Sequence, residues 1–164
     1  MKNKLILIIE DDGKHLQDAK SNLIGITHDA CIAGPEKIIL GAIKQNTEIG
    51  LPAYVFARTY REAAPWFKHS DGIISDIYFP LDSKAPFNNI EPIGVRVASE
   101  LEKLGKPFVL NTSGYHHGPK FQWIYEMVGN NKWDFIESGN SSGEGNTKNW
   151  KAAYETLIKK IKND

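Results

Sequence analysis

The sequence predicts one α/β domain: a flavodoxin-like, doubly wound sheet of five parallel strands in the order 2-1-3-4-5, with helices on both faces. Three observations predict it. Apolar runs alternate with amphipathic stretches five times along the chain, and such alternation demands parallel strands joined by right-handed crossovers. The first run, Leu5-Ile6-Leu7-Ile8-Ile9, is apolar without a break, as a strand covered on both faces must be. Two runs end in acids, Glu10-Asp11-Asp12 and Asp76, and in such sheets ligands and chemistry gather at the carboxyl ends of the strands.

Leu5–Ile9 is the first strand. The three acids after it repel one another, and a structure that keeps such groups together usually has a cation nearby. A turn whose Asp12 caps the next helix explains one of the three. Leu16, Ala19 and Leu23 put an apolar face on a helix over 14–24. Residues 25–52 read as an insertion: Gly34-Pro35 breaks the chain, Pro35-Glu36-Lys37 can open a second helix with Ile39 and Ile43 on one face, and Gly50-Leu51-Pro52 closes the segment. Ala53–Ala57 is the second strand. Thr59-Tyr60-Arg61-Glu62 has capping-box spacing, and Tyr60, Ala63, Ala64 and Phe67 share a helical face that Pro65 must kink or shorten.

The third strand, with Ile73-Ile74 in its centre, ends at Asp76. Pro80 lacks an N–H and stops pairing beyond it. Asp76 thus stands at the mouth of a loop, and reads either as a functional carboxylate or as a helix or turn cap. Residues 81–92, with Pro86, Asn88, Asn89 and Pro92, form a long loop. Val97, Ala98, Leu101 and Leu104 mark a helix over 93–104, ended by Gly105. Pro107–Leu110 is the fourth strand, terminating in Asn111-Thr112-Ser113-Gly114. A helix with Phe121, Ile124, Tyr125 and Val128 on one face follows, then a fifth strand over Trp133–Ile136. Residues 139–147, rich in Gly, Asn and Ser, make a flexible turn. The last helix carries a full apolar stripe: Trp150, Ala153, Tyr154, Leu157, Ile158 and Ile161.

Composition narrows the function classes. The 164 residues suffice for one domain with one core, and 41% hydrophobic with 24% charged residues is ordinary for a globular chain. Twenty Lys and Arg balance twenty Asp and Glu, so net charge draws the chain neither to nucleic acid nor to an anionic membrane. The single cysteine, Cys31, excludes an internal disulfide framework and a cysteine metal cluster, and reads as a small apolar residue. The N-terminal Lys residues and apolar run imitate a signal peptide, but the run is too short and ends in acids. No stretch is long enough to span a membrane. The sequons at Asn111 and Asn140 then read as chance matches, and a cytoplasmic protein is expected.

Three strand ends converge in the expected topology. Strands one and three are neighbours at the switch point, so Glu10 or Asp11 should face Asp76. Oxygen ligands on a rigid edge suit Mg²⁺, which is held by one or two carboxylates with water and phosphate. Asp76 is a candidate nucleophile, because a carboxylate can attack phosphorus to give an aspartyl phosphate. Thr112 is placed to hydrogen-bond a phosphate oxygen. His116-His117 has no third ligand in view, and adjacent residues on an extended chain point apart. His15, His28 and His69 are isolated. No Gly-x-Gly-x-x-Gly and no P-loop follow the first strand, so dinucleotide and nucleotide binding lack support.

These motifs carry a resemblance. Leu7-Ile8-Ile9-Glu10-Asp11-Asp12 resembles the acidic pair after the first strand of receiver (CheY-like) domains of two-component response regulators. Asp76-Ile77-Tyr78-Phe79-Pro80 resembles their phosphoacceptor with its Pro four residues on. Pro107–Ser113 resembles their fourth strand with its switch Thr. The resemblance covers the chain apart from 25–52 and the loop after Pro80. It implies Mg²⁺ bound by Glu10, Asp11 and Asp76 with the backbone carbonyl of Tyr78, Thr112 as phosphate contact and switch, and Phe135 as the switch aromatic. It implies a stand-alone receiver that takes a phosphoryl group from a sensor histidine kinase or phosphotransfer protein and signals to a downstream protein. Whether the last helix or the insertion makes a homodimer is left open.

One position departs from the family. Receivers place a Lys just after strand five to contact the phosphoryl group, and Ser138 stands there. Lys120 or Lys132 are the candidates to replace it. The rival expectation is a pseudo-receiver, a binding module insensitive to phosphorylation. A third is a Mg²⁺-dependent phosphohydrolase of the haloacid-dehalogenase type, although that family wants a second Asp where Tyr78 stands.

Overall fold

Six parallel strands form the sheet of the computed structural model, which describes residues 4–30, 41, 51–84, 91–113, 119–138 and 147–163. The chain runs β1 (Leu5–Ile9), α1 (Gly13–Asn22), β2 (Ile26–Asp29), β3 (Ala53–Ala57), α2 (Tyr60–Ala63), β4 (Gly72–Ser75), α3 (Ile93–Lys103), β5 (Phe108–Thr112), α4 (Gln122–Asn131), β6 (Phe135–Glu137) and α5 (Trp150–Asn163). The strand order is β2-β3-β1-β4-β5-β6, parallel throughout. The expectations for Cys31, for the helix after Pro35, for 85–90 of the long loop, for His116-His117 and for 139–146 lie outside the described residues.

The five expected strands are present, and their order is the expected one. The correction is a sixth strand, β2, inside the stretch read as an insertion, which pairs with β3 at the sheet edge. Its sequence, Ile26-Thr27-His28-Asp29, holds one apolar residue, so it lacks the continuous run of a strand covered on both faces. An edge strand needs only one neighbour. Gly25 makes its entry feasible: a Cβ there would overlap the Pro52 carbonyl oxygen and the Tyr54 ring.

The last strand begins two residues later than expected and ends one residue later, at Glu137. Lys132 adopts a left-handed conformation, φ 55°, that terminates α4. Trp133 then turns inward rather than entering the sheet. It meets the Phe108 ring edge-on at 5.9 Å, and its indole N–H donates to Glu102 at 3.3 Å. The fourth strand is Phe108–Thr112 rather than Pro107–Leu110, and the first helix is Gly13–Asn22 rather than 14–24; two further local readings hold. Thr59 caps α2 by accepting from the Glu62 N–H, and Pro65 limits α2 to one turn before a 3₁₀ turn over Ala64–Trp66.

Side chains alternate across the sheet and divide the core. Leu7, Ile9, Val55, Ile73 and Leu110 pack with Val97 and Leu101 of α3 and with Ile124 and Val128 of α4. Ile6, Ile8, Phe56, Ile74 and Val109 pack with Leu16 and Ala19 of α1 and with Trp150, Ala153 and Leu157 of α5. Leu157 is fully buried and lies over Gly72 of β4. Leu157→Ala is expected to cost about 2–5 kcal/mol through lost burial and the cavity left behind, read as a shifted urea midpoint at unchanged slope. Among the described residues, no helix is long and apolar enough to cross a membrane.

Candidate functional site

The site lies where β1 and β4 end side by side. Ile9 pairs with Ser75, so the residues that follow, Glu10 and Asp76, leave the sheet as neighbours. The backbone ladder carries on through both of them. Glu10 N–H donates to the Ala57 carbonyl and Asp76 N–H to the Ile9 carbonyl, each at 2.9 Å. Carboxylate oxygens of Glu10, Asp11 and Asp76 all lie within 4.8 Å of one another. The topology inferred from alternation is thus what brings residues 66 positions apart into one group.

The acids after β1 divide their roles. Asp12 caps α1, accepting from the N–H groups of Lys14 at 2.8 Å and His15 at 3.1 Å. The His15 bond holds its carboxyl below the ordinary value. The capping explanation therefore covers Asp12 and leaves Glu10 and Asp11 to the cluster. The Asp11 backbone carbonyl accepts from the Arg58 guanidinium, at 2.7 Å for the closer nitrogen.

A cation lies among the carboxylates. Lys148, two residues before α5, is buried to the tip of its side chain. Its ammonium donates to Glu10 Oε2 and, at 2.7 Å, to Asp76 Oδ2. The other oxygens are also used: Glu10 Oε1 accepts from the Asp12 N–H at 3.1 Å, and Asp76 Oδ1 from the Ile77 N–H at 2.7 Å. Lys148 was not among the candidates, and no periodicity marks it. The available signal was a lysine just before the clearest helix of the chain. Lys120 and Lys132 stand elsewhere, Lys120 with its ammonium 4.9 Å from the Phe121 ring and Lys132 at the end of α4.

Three carboxylates face one ammonium, and the titration of the group reflects the imbalance. Burial pushes Glu10 from 4.5 up to about 8; Lys148 opposes this and Asp76 adds to it. Burial also raises Asp11, with Asp76 again adding. For Lys148 burial favours the neutral form, but Asp76 and Glu10 outweigh it and its value rises. When Glu10 is charged, the group carries excess negative charge that a cation would offset. Its donors are all carboxylate oxygens, the ligands that hard divalent ions such as Mg²⁺ prefer. Glu10, Asp11 and Asp76 fit such an ion.

The raised Glu10 carboxyl makes the stability of the fold depend on pH. Between pH 4.5 and about 8 the folded chain keeps a proton that the unfolded chain releases. Stability is then lost as pH rises through that window. Urea unfolding at pH 5, 6.5 and 8 should show this decline in the metal-free protein. Glu10→Gln should flatten it.

The other expected site residues surround this group. Thr112 is buried at the end of β5, and its carbonyl accepts from the Ser138 N–H at 3.0 Å. Tyr78 lies two residues beyond Asp76, with its ring edge-on to Phe121 at 6.4 Å. Phe135 is half-buried in β6 and edge-on to Tyr125 at 5.7 Å. Ser138, at the position where a lysine was expected, accepts from the Asn149 N–H at 2.9 Å. Behind Asp76, α3 begins in direct contact with the chain. Gly94 N–H donates to the Ile77 carbonyl at 2.8 Å, and a Cβ on Gly94 would overlap the Asp76 carbonyl oxygen.

No protein-family model and no curated protein matches the chain. Among solved structures, a de novo designed protein described as a PLOOP2X3_50 fold, determined by solution NMR, is similar over 98% of this chain and 96% of its own. The two share 14% identity with a TM-score of 0.41. A likeness that distant bears on neither the site nor the function.

Proposed function

We propose that the chain is a receiver-type phosphoacceptor: Asp76 takes a phosphoryl group in the presence of Mg²⁺, and the modified domain signals through contacts with other proteins. The observation that carries the reading is the Lys148 ammonium bonded to Asp76 within a group of three strand-end carboxylates. Glu10, Asp11 and Asp76 would hold the Mg²⁺, with the Tyr78 carbonyl as the further ligand the family resemblance implies. When bound, the ion supplies charge that offsets repulsion between these acids and an incoming phosphoryl group.

The chain's own residues perform the transfer. A carboxylate oxygen of Asp76 attacks phosphorus in line, and the bond from phosphorus to the donor breaks as the leaving group departs with its electron pair. The Ile77 N–H holds Asp76 Oδ1, which fixes the carboxylate plane. Lys148 stands against Oδ2, where it can follow the negative charge onto the phosphoryl oxygens. Thr112 hydroxyl is the phosphate contact and Phe135 the switch aromatic, on the family resemblance. The donor is then a sensor histidine kinase or phosphotransfer protein, and the output a protein partner.

Acetyl phosphate with Mg²⁺, followed by intact mass, tests the reading. A single phosphoryl adduct on the wild type, absent from Asp76→Asn, is the expected outcome. Steady turnover of a phosphoester without an adduct would point instead to the phosphohydrolase. No adduct from acetyl phosphate or from a histidine-phosphorylated donor would leave the phosphorylation-independent binding module. That rival rests on the absence of a lysine at position 138, whereas Lys148 offers Asp76 a cation from another position.

A further inference from the structure

We propose that the phosphoryl-contacting cation of this site has been relocated along the chain, with Lys148 supplying the charge from the entry to α5 and Ser138 acting as the residue that positions it. The assignment rests on the reading of Asp76 as phosphoacceptor. In place of a lysine at the end of β6, the chain has a serine there and a buried lysine ten positions later.

Ser138 is fixed on both sides. Its N–H donates to the Thr112 carbonyl at 3.0 Å, which ties it to the end of β5. Its hydroxyl oxygen accepts from the Asn149 N–H at 2.9 Å, which ties it to the residue after Lys148. Asn149 in turn caps α5, its side-chain oxygen accepting from the Ala152 N–H at 3.0 Å. Trp150, the next residue, is buried against the sheet. The backbone at Lys148 is therefore set by the strand end on one side and by the docked helix on the other. A flexible four-carbon side chain gains a defined tip position from that anchoring. A lysine at position 138 would remove the hydroxyl acceptor, so the two solutions, a lysine at 138 or a lysine at 148 held by a serine, exclude each other.

The test is the rate of phosphorylation by acetyl phosphate at fixed Mg²⁺, followed by intact mass. Lys148→Met should slow it by roughly 10²-fold, the scale for losing one preorganised contact to developing charge. Ser138→Ala, which removes one hydrogen bond at a half-exposed position, should slow it by about three- to tenfold. Its urea midpoint should stay close to that of the wild type, and Ser138→Thr should regain the rate. In the Lys148→Met background, Ser138→Lys should regain part of the rate, which a purely structural role for Lys148 does not predict. Wild-type rates in Ser138→Ala would overturn the positioning role, and wild-type rates in Lys148→Met would overturn the relocation while leaving the phosphoacceptor reading intact. No adduct on the wild type would overturn both. If Lys148→Met does not fold, the Ser138 variants decide the question.

Discussion

Replacing Lys148 by Ala is expected to destabilise the protein by about 3–5 kcal/mol, the scale for stranding a buried charge partner. The side chain is wholly inaccessible and bonds two acids, of which Glu10 is itself buried. Removing the ammonium leaves Glu10 and Asp76 facing each other without the Lys148 charge that both carboxyls contact. Glu10, already raised by burial, loses the cation that favours its charged form. The deficit should therefore be largest at pH 8 and shrink towards pH 5, because Glu10 is protonated at the lower pH and is then no longer a stranded charge. Adding Asp76→Asn to Lys148→Ala should recover part of the loss, since one of the stranded charges is gone. Denaturant titrations of the single and double variants, at both pH values, measure the coupling. Equal stability of the wild type and Lys148→Ala at pH 8 would mean that the ammonium and the acids do not interact in the folded protein.

The second large effect is expected from one methyl group. Gly94→Ala places a Cβ on the Asp76 carbonyl oxygen and within 2.7 Å of Ile77 Cα. Backbone on both sides leaves no flexible side chain to yield. Either the start of α3 lifts from the sheet, losing the Gly94 N–H bond to Ile77, or the Asp76–Ile77 peptide shifts and carries the carboxylate with it. A destabilisation of about 1–3 kcal/mol is the scale for such overpacking. The functional loss should exceed the loss of stability, because a displacement of one ångström in a reacting group can cost roughly 10²-fold. Phosphorylation that is abolished in protein still folded at 25 °C would identify the α3 start as the rear wall of the site. Normal phosphorylation would mean that the contact is compliant.

The parts of this molecule that were legible beforehand are those in which a local pattern carries the information. Leu5–Ile9 and Ala53–Ala57 are runs covered on both faces, and the α5 stripe fills one side of the sheet. From these the alternation, the strand order and the meeting of Glu10, Asp11 and Asp76 follow. β2 was not legible because an edge strand of mixed polarity has no pattern to distinguish it from a loop. The start of β6 was missed because Trp133 looks like a strand residue, yet sets its ring edge-on to Phe108 of β5 and its N–H on Glu102 of α3. Lys148 was invisible for a different reason: its partner Glu10 is 138 residues away in sequence, and the pairing exists only once α5 has docked. The acids were found as motif residues, whereas their counter-ion is a product of tertiary structure.

The Lys148 ammonium also has a bearing on how the protein would meet its metal. It already occupies two of the three carboxylates that would bind a divalent ion. A tethered cation of this kind is a built-in competitor present at high effective concentration. Mg²⁺ must share or displace it, so the chain should bind the free ion more weakly than the same three acids would without the lysine. On the proposed reading, a phosphoryl group on Asp76 would give the ammonium a second anion to follow and so recover the loss. Metal and phosphoryl group would thus bind with positive cooperativity, each stabilising the other, and the resting domain would stay largely unloaded until a donor appears.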